Sequence, residues 1–378
     1  MNCPYTDVCG GCPYRSEDIA QYREMKCARL SQTLERLQDK NYHLNAPIFI
    51  EDGKRRRAAL TFRKQGQKVV FGFNGRESGK VADIANCAAL GTKLNRCLPH
   101  IKDMLQELCK VTQQSKRGKK IVFSELLRGD VPICEADNGV DVVLEYDRTP
   151  NLEERMIISE YANRCDDIIR IAHRGSAFDT TSETIVQKVA PFVTMGNFRV
   201  MIPAGTFLQA SKQSESAMGA MVTRYLHEVK GEVADLFCGV GTFSYYLTSD
   251  MPNRKICAVD ASNSLLDGFR ESANACQITN LEIKKQNLFK YPLDENELAR
   301  FEGLVFDPPR AGAKEQCNII AKSRKKPRII AAVSCNPTTF VNDANRLWEG
   351  GYELKEITMV DQFVYSDHCE IVALFSLR

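Results

Sequence analysis

From Glu232 onward the chain alternates short apolar runs with helical or loop stretches, and this rhythm restricts the fold more than any other feature of the sequence. Strands are predicted at 232–237, 255–260, 281–286, 301–306, 328–334, 352–360 and 370–376, the pattern of a doubly wound, parallel sheet. No helix fits between the last two, so they are expected to pair as a hairpin. The first strand runs into Asp235-Leu-Phe-Cys-Gly-Val-Gly-Thr-Phe243, where Gly239 and Gly241 permit a sharp turn and close approach of a ligand to the backbone. Asp260 ends the second strand about 20 residues later, where a carboxylate can accept hydrogen bonds from ribose hydroxyls. A nicotinamide dehydrogenase would carry the same acid. Against that, the turn lacks the third glycine of the dinucleotide fingerprint, and no dehydrogenase needs Asp307-Pro-Pro.

The apolar run Arg328-Ile-Ile-Ala-Ala-Val333 delivers Cys335, within Ser334-Cys-Asn-Pro337, to a strand's carboxyl end, where open α/β sheets bind ligands. A lone cysteine there is more often a small buried hydrophobe than a nucleophile. Its neighbours, the glycine turn and Asp307-Pro-Pro-Arg310, favour a nucleophile.

Length and charge set the outer limits. A chain of 378 residues exceeds one ordinary core and is expected to form two or three domains. No stretch of about 18 uncharged apolar residues occurs, and Met1-Asn-Cys-Pro lacks the form of a signal peptide, which predicts a cytoplasmic protein with no membrane association. Its fifteen cysteines are therefore not expected to be disulfides. Net charge is only +3, yet Lys54-Arg-Arg-Arg57, Lys116-Arg-Gly-Lys-Lys120 and Lys322-Ser-Arg-Lys-Lys-Pro-Arg328 are local basic clusters that suit a phosphate-rich ligand.

Cys3, Cys9 and Cys12 lie close together among glycines, as in a metal or iron–sulfur site that needs a fourth ligand. Zinc is the competing occupant. Cys87 is the candidate fourth ligand; Cys27, Cys97 and Cys109 fall in predicted helices and read as packing residues. Residues 17–40 predict a helix beside this loop, and 54–147 an antiparallel β unit interrupted by a helix from Leu98 to Leu108. Residues 150–205 are mixed, with strands suggested at Thr184–Val189 and Phe198–Ile202. Ser211 caps a helix that runs to about Glu228.

Cys3/Cys9/Cys12, Arg55-Arg-Arg-Ala58, Gly72-Phe73 with Asp83-Ile84, Phe207-Leu-Gln209, Asp235 to Gly241, Asp307 to Arg310, Ser334 to Pro337 and His368-Cys-Glu370 together resemble the RNA uracil-C5-methyltransferases, in one order along almost the whole chain. The cysteines are similar to those of the family's ribosomal RNA members, and no extra β-barrel precedes Cys3, as in the shorter of their layouts. The resemblance implies an α/β, Rossmann-like class I methyltransferase domain at 206–378, an amino-terminal iron–sulfur segment at 1–50, and a smaller β-rich RNA-binding domain at 51–205. By position, Gln209, Phe237, Thr242, Asp260, Asn287 and Asp307 would line an S-adenosylmethionine site, and Cys3, Cys9, Cys12 and Cys87 would hold a 4Fe–4S cluster. The implied substrate is 23S rRNA, and the implied state a monomer.

Uracil C5 is too weak a nucleophile to take a methyl group unaided, so a thiolate must first add to C6, a task that suits Cys335. Helix dipoles or Arg310 are expected to lower its pKa. A base must then remove the C5 proton, and Glu370 holds the matching place. The target base is expected to flip out of its stack, with Arg55 to Arg57 gripping phosphates. Two departures stand out: Val364 follows Phe363 where the family often has Pro, and the helix from Lys314 ends rich in Lys and Ser. Three other readings remain: a transfer RNA enzyme, an amino-methyltransferase with no use for Cys335, and a non-catalytic iron–sulfur RNA-binding protein.

Overall fold

The computed structural model describes residues 3–77, 79–117, 120–175 and 181–378, with backbone alone for 115–123. The basic run Lys116 to Lys120 thus lies outside the described side chains. The chain forms two compact units. Residues 1–16, 51–193 and 202–210 make the first; 17–50, 194–201 and 211–378 make the second.

The first unit is built on a sheet whose strands lie in the order Glu183–Gln187, Ile168–Arg174, Gly139–Glu145, Arg128–Ala136, Arg57–Gln65, Lys68–Asn74, Val81–Asp83. Its pairs are antiparallel except Gly139–Glu145 with Ile168–Arg174, which helix Leu152–Asn163 connects. That helix and the strand after it are absent from the sequence reading. A signal for the helix exists: Asn151 and Glu154 form a reciprocal capping box, satisfying two amide donors that a helix start leaves open. Helix Thr92–Leu108 lays Leu94, Leu98, Ile101 and Leu105 on Leu60, Phe62 and Phe71 of the sheet.

In the second unit the elements that matter for the site are α1 (Ile19–Leu34), α2 (Lys212–Leu226), β1 (Glu232–Leu236), α3 (Thr242–Asp250), β2 (Ile256–Asp260), α4 (Asn263–Ala275), β3 (Leu281–Lys285), β4 (Phe301–Phe306), α5 (Lys314–Lys322), β5 (Ile329–Ser334), α6 (Pro337–Glu349), β6 (Tyr352–Asp361) and β7 (Glu370–Leu377). The sheet order is β6-β7-β5-β4-β1-β2-β3, with short strands His43–Leu44 and Ile48–Phe49 on β6. Strands β1 to β5 are parallel, and β7 runs antiparallel between β5 and β6. All seven expected strands and the closing hairpin are present.

The continuous apolar runs follow from cover on both faces. Alternation sends Val233, Val305, Ala331 and Val333 to a core with Met218, Val222 and Leu226 of α2, and Ala234, Leu304, Phe306 and Ala332 to another with Leu347 of α6 and Leu30 and Leu34 of α1. Helix α1 therefore belongs with the sheet of the second unit, whereas the sequence reading set it beside the cysteine loop. The reason is its buried face: Tyr22, Lys26, Leu30 and Leu34 recur every four residues and need an apolar partner that a cysteine loop lacks.

Candidate active site

The strand order reverses at β1, which has β2 on one side and β4 on the other. Such a switch point opens a crevice at the carboxyl ends of the strands. Phe237 leaves β1 there with φ of 60°, a left-handed conformation costly for a bulky residue, and Gly239 and Gly241 follow at 58° and 87°. A Cβ on Gly241 would meet the Phe269 ring at 2.3 Å, so only glycine fits, whereas a Cβ on Gly239 would point into open space. The backbone at Gly239 is thus open to a ligand. Asp260 at the end of β2 accepts from Gly239 N (3.0 Å) and Ser262 N (2.9 Å), latching the turn. Asp235 lies buried beneath and accepts from Ser244 N (2.9 Å) and Oγ (2.7 Å), which closes the turn onto α3. Burial pushes its carboxyl up to about 7, against the lowering effect of the Ser244 bonds.

Of the residues expected at the methyl donor, Phe237, Asp260 and Asp307 stand at the ends of β1, β2 and β4, and Thr242 opens α3. Asn287 lies just beyond β3, its Oδ1 accepting from Phe289 N (3.1 Å) and Lys290 N (3.3 Å), a turn-forming role. Phe289 packs its ring 5.4 Å from that of Phe237 and is 47% exposed, so it joins the rim, although the sequence reading passed it over. Gln209 belongs to the first unit, buried, its carbonyl accepting from Arg56 Nε at 2.9 Å. The glycine cradle with its carboxylate latch fits an adenosyl group.

Three separate motifs meet beside β5. Cys335 is half-buried between the end of β5 and Asn336, which caps α6 by accepting from Thr338 N (3.0 Å) while its Nδ2 donates to Arg310 O (3.1 Å). The Arg310 Nη2 lies 3.1 Å from His368 Nε2, tying the Asp307 loop to the third motif. The last registered pair of β5 with β7 is Ser334 with Ile371, so one step further sets Cys335 and Glu370 at the same end of neighbouring strands. Glu370 is 3% exposed and its Oε1 accepts from Gln362 Nε2 at 2.7 Å.

The thiol of Cys335 departs from expectation. Burial first, then the charges of Glu370 and Asp307, push it up to about 11, while Arg310 acts the other way. The expected lowering fails because two carboxylates face the sulfur against one guanidinium, and half-burial disfavours the anion.

The loop from Gln362 to Cys369, where the sequence departs from the family's Phe-Pro, is held by α1. Lys26 Nζ shares its three N–H groups among four acceptors, Asp361 Oδ1 (2.6 Å), Tyr22 OH (2.9 Å), Ser366 O (2.8 Å) and His368 O (2.5 Å). Lysine and aspartate are 5% and 0% exposed, and Tyr22 OH donates to Asp361 Oδ2 at 2.8 Å. Sequence reasoning missed this lysine because it sits among the apolar positions of an otherwise ordinary helix.

In the first unit, Cys3, Cys9, Cys12 and Cys87 line one cavity with Tyr5, Arg15, Arg55 and Phe73. Arg15 Nη2 donates to Cys12 Sγ (3.7 Å) and to Asp52 Oδ1 (3.1 Å). Asn95 folds the segment round Cys87, accepting from Cys87 N (2.7 Å) and donating to Cys87 O (3.0 Å) and Leu90 O (3.0 Å). Burial pushes the Cys87 thiol up to about 11. Among the described residues no three His, Cys, Asp or Glu side chains are close enough to share one metal ion.

The basic clusters are less available than their sequence suggests. Arg56 is buried on the Gln209 carbonyl, and Arg55 lines the cysteine cavity. Arg57 stacks its guanidinium 3.8 Å above the centre of the Phe207 ring, itself 61% exposed. Lys326 donates to Ala321 O (3.1 Å) and Gly350 O (2.7 Å), and Arg328 pairs with Glu302 at 3.1 Å.

Residues 182–377 match the family described as tRNA (Uracil-5-)-methyltransferase. The whole chain is similar to curated bacterial proteins. An uncharacterised RNA methyltransferase of Mesorhizobium japonicum is 30% identical over 373 residues, 98% of this chain and 83% of the relative. The 23S rRNA (uracil(1939)-C(5))-methyltransferase RlmD of Shewanella halifaxensis is 27% identical over 389 residues, 100% of this chain and 81% of the relative. Among solved structures, the Pyrococcus abyssi tRNA (uracil-54, C5)-methyltransferase in complex with S-adenosyl-L-homocysteine superposes with a TM-score of 0.72 at 20% identity, covering 99% of this chain and 87% of that one. That likeness extends the fold match to both units.

Proposed function

This chain belongs to the tRNA (Uracil-5-)-methyltransferase family and is an S-adenosylmethionine-dependent RNA uracil-C5-methyltransferase; from that premise we propose that it methylates a uridine of 23S rRNA, with Cys335 as nucleophile and Glu370 as base. The convergence of Cys335, Glu370 and Asp307 at one end of the sheet, beside the glycine turn, carries the assignment of roles. Cys335, after giving its thiol proton to solvent, adds as the thiolate to uracil C6, and the electron pair of the C5–C6 double bond moves toward C5. The residues around the glycine turn would hold S-adenosylmethionine, which would supply the methyl group, its C–S bond breaking with the electron pair left on sulfur; C5 then holds both a hydrogen and the new methyl group. Glu370 takes that C5 proton, the double bond re-forms, and the Cys335 sulfur leaves with its electron pair.

Phe237, Thr242, Asp260, Asn287, Asp307 and Gln209 are proposed to hold the donor, the first five by their places around the strand ends and Gln209 by resemblance alone. Cys3, Cys9, Cys12 and Cys87 are proposed to hold a 4Fe–4S cluster. Four thiols lining one cavity are a donor set that a thiolate-held cluster would use, with zinc the competing occupant. The transfer has no redox step, so the cluster's work would be structural.

Ribosomal RNA is favoured by the similarity to the Shewanella halifaxensis protein over all of this chain together with the four-thiol cavity. The second reading is a transfer RNA substrate, which the family's description names. Mapping 5-methyluridine in RNA from cells lacking the protein separates them: loss of one methylated position in 23S rRNA is expected, and loss confined to tRNA would transfer the assignment.

A further inference from the structure

Glu370 is buried, and a buried carboxylate that must take a proton from one particular carbon needs a fixed orientation. A row of buried side chains leads to it from the start of α2. The Ser211 Oγ donates to Ser214 Oγ at 2.9 Å. The Ser214 hydroxyl donates to Gln362 Oε1 at 2.7 Å, with Ser211 O at 2.9 Å as its alternative acceptor. The Gln362 amide then presents Nε2, a donor, to Glu370 Oε1 at 2.7 Å. Ser211, Ser214 and Gln362 are 1%, 0% and 3% exposed, so no solvent competes for these bonds.

The direction of the row follows from hydrogen-bonding chemistry. An amide can turn over and exchange its oxygen for its nitrogen, but a serine hydroxyl given to Oε1 leaves only NH for the glutamate. We propose that Gln362, oriented by Ser214, is a positioning residue for proton removal: it holds one carboxylate oxygen of Glu370 and thereby sets where the other points. The inference rests on Glu370 being the base. It concerns proton removal, because the bond on which it rests is made to Glu370.

The test uses the full chain, ribosomal RNA from cells lacking the protein with tritium at uridine C5, and a radiolabelled methyl donor. Methylated protein–RNA adduct is followed on denaturing gels and proton removal by tritium released to water, both in a single turnover. Gln362→Met, which keeps volume but loses the amide, and Ser214→Ala are expected to form adduct at the wild-type rate. Both should release tritium about ten- to a hundredfold more slowly, so adduct accumulates. Glu370→Gln is run beside them. If it releases tritium normally, Glu370 is not the base and the positioning role falls with it. If Glu370→Gln stalls while Gln362→Met and Ser214→Ala release tritium at the wild-type rate, positioning alone is overturned. Equal loss of adduct and tritium release in both variants overturns it as well, because that marks a purely structural role.

Discussion

At the residue scale, Cys335 is a thiol that its surroundings keep protonated near neutral pH, since burial, Glu370 and Asp307 together outweigh Arg310. A group whose pKa is raised to about 11 gains anion as pH rises, so the single-turnover rate of adduct formation is expected to climb steadily from pH 6 to 9. Glu370→Gln removes one of the charges that oppose the thiolate. This variant should therefore form its adduct faster than wild type at pH 7 and then retain it, a separation of the two steps that gels and tritium release read together. Cys335→Ala should form none. An adduct in Cys335→Ala would dismiss the nucleophile. The candidate sulfur was legible in Ser334-Cys-Asn-Pro337, but its pKa was not: the two carboxylates come from residues 307 and 370, and only tertiary structure sets them beside it.

At the scale of elements, the central strands Ile256–Asp260 and Ile329–Ser334 were readable because they are buried on both faces and so run apolar, whereas Leu281–Lys285 at the sheet edge buries no residue. Residues 150–205 were harder. Helix Leu152–Asn163 buries only Glu154, Ile158 and Ala162, too narrow a stripe for periodicity to reveal, and its capping box was the stronger signal. Helix α1 shows a different limit: its pattern predicted a helix but not that Lys26 would pin the loop before Glu370. Lys26→Met leaves Asp361 charged and unpaired by lysine in the core, at a cost of about 3–5 kcal/mol. Chemical denaturation should show that loss, and activity in the surviving folded fraction should fall because the loop loses its anchor. A variant as stable and active as wild type would remove the clamp from consideration.

For the whole molecule, the three blocks read along the chain correspond to two units that interleave in sequence, residues 17–50 joining the sheet of the second while 1–16 join the first. The change near residue 16 from a Cys-, Gly- and Pro-bearing loop to a helical pattern is legible, but nothing local says on which sheet that helix packs. The cysteine cavity likewise unites positions far apart, Cys87 with Cys3, Cys9 and Cys12. Anaerobic reconstitution is expected to load about four iron and four sulfide per chain, and Cys87→Ser to lose most of it. Zinc in place of iron, or full loading of the variant, would refute the cluster. Sequence by itself determined the doubly wound fold, the glycine turn and the candidate nucleophile, because short-range patterning and side-chain chemistry are properties of neighbouring residues; the candidate base came from the resemblance to the family. Tertiary structure alone decided the raised pKa of Cys335, the burial of Arg56, the Lys26 anchor and the row from Ser211 to Glu370. Each of these depends on which distant residues share one low-dielectric space, and that is a result of packing rather than of chain order.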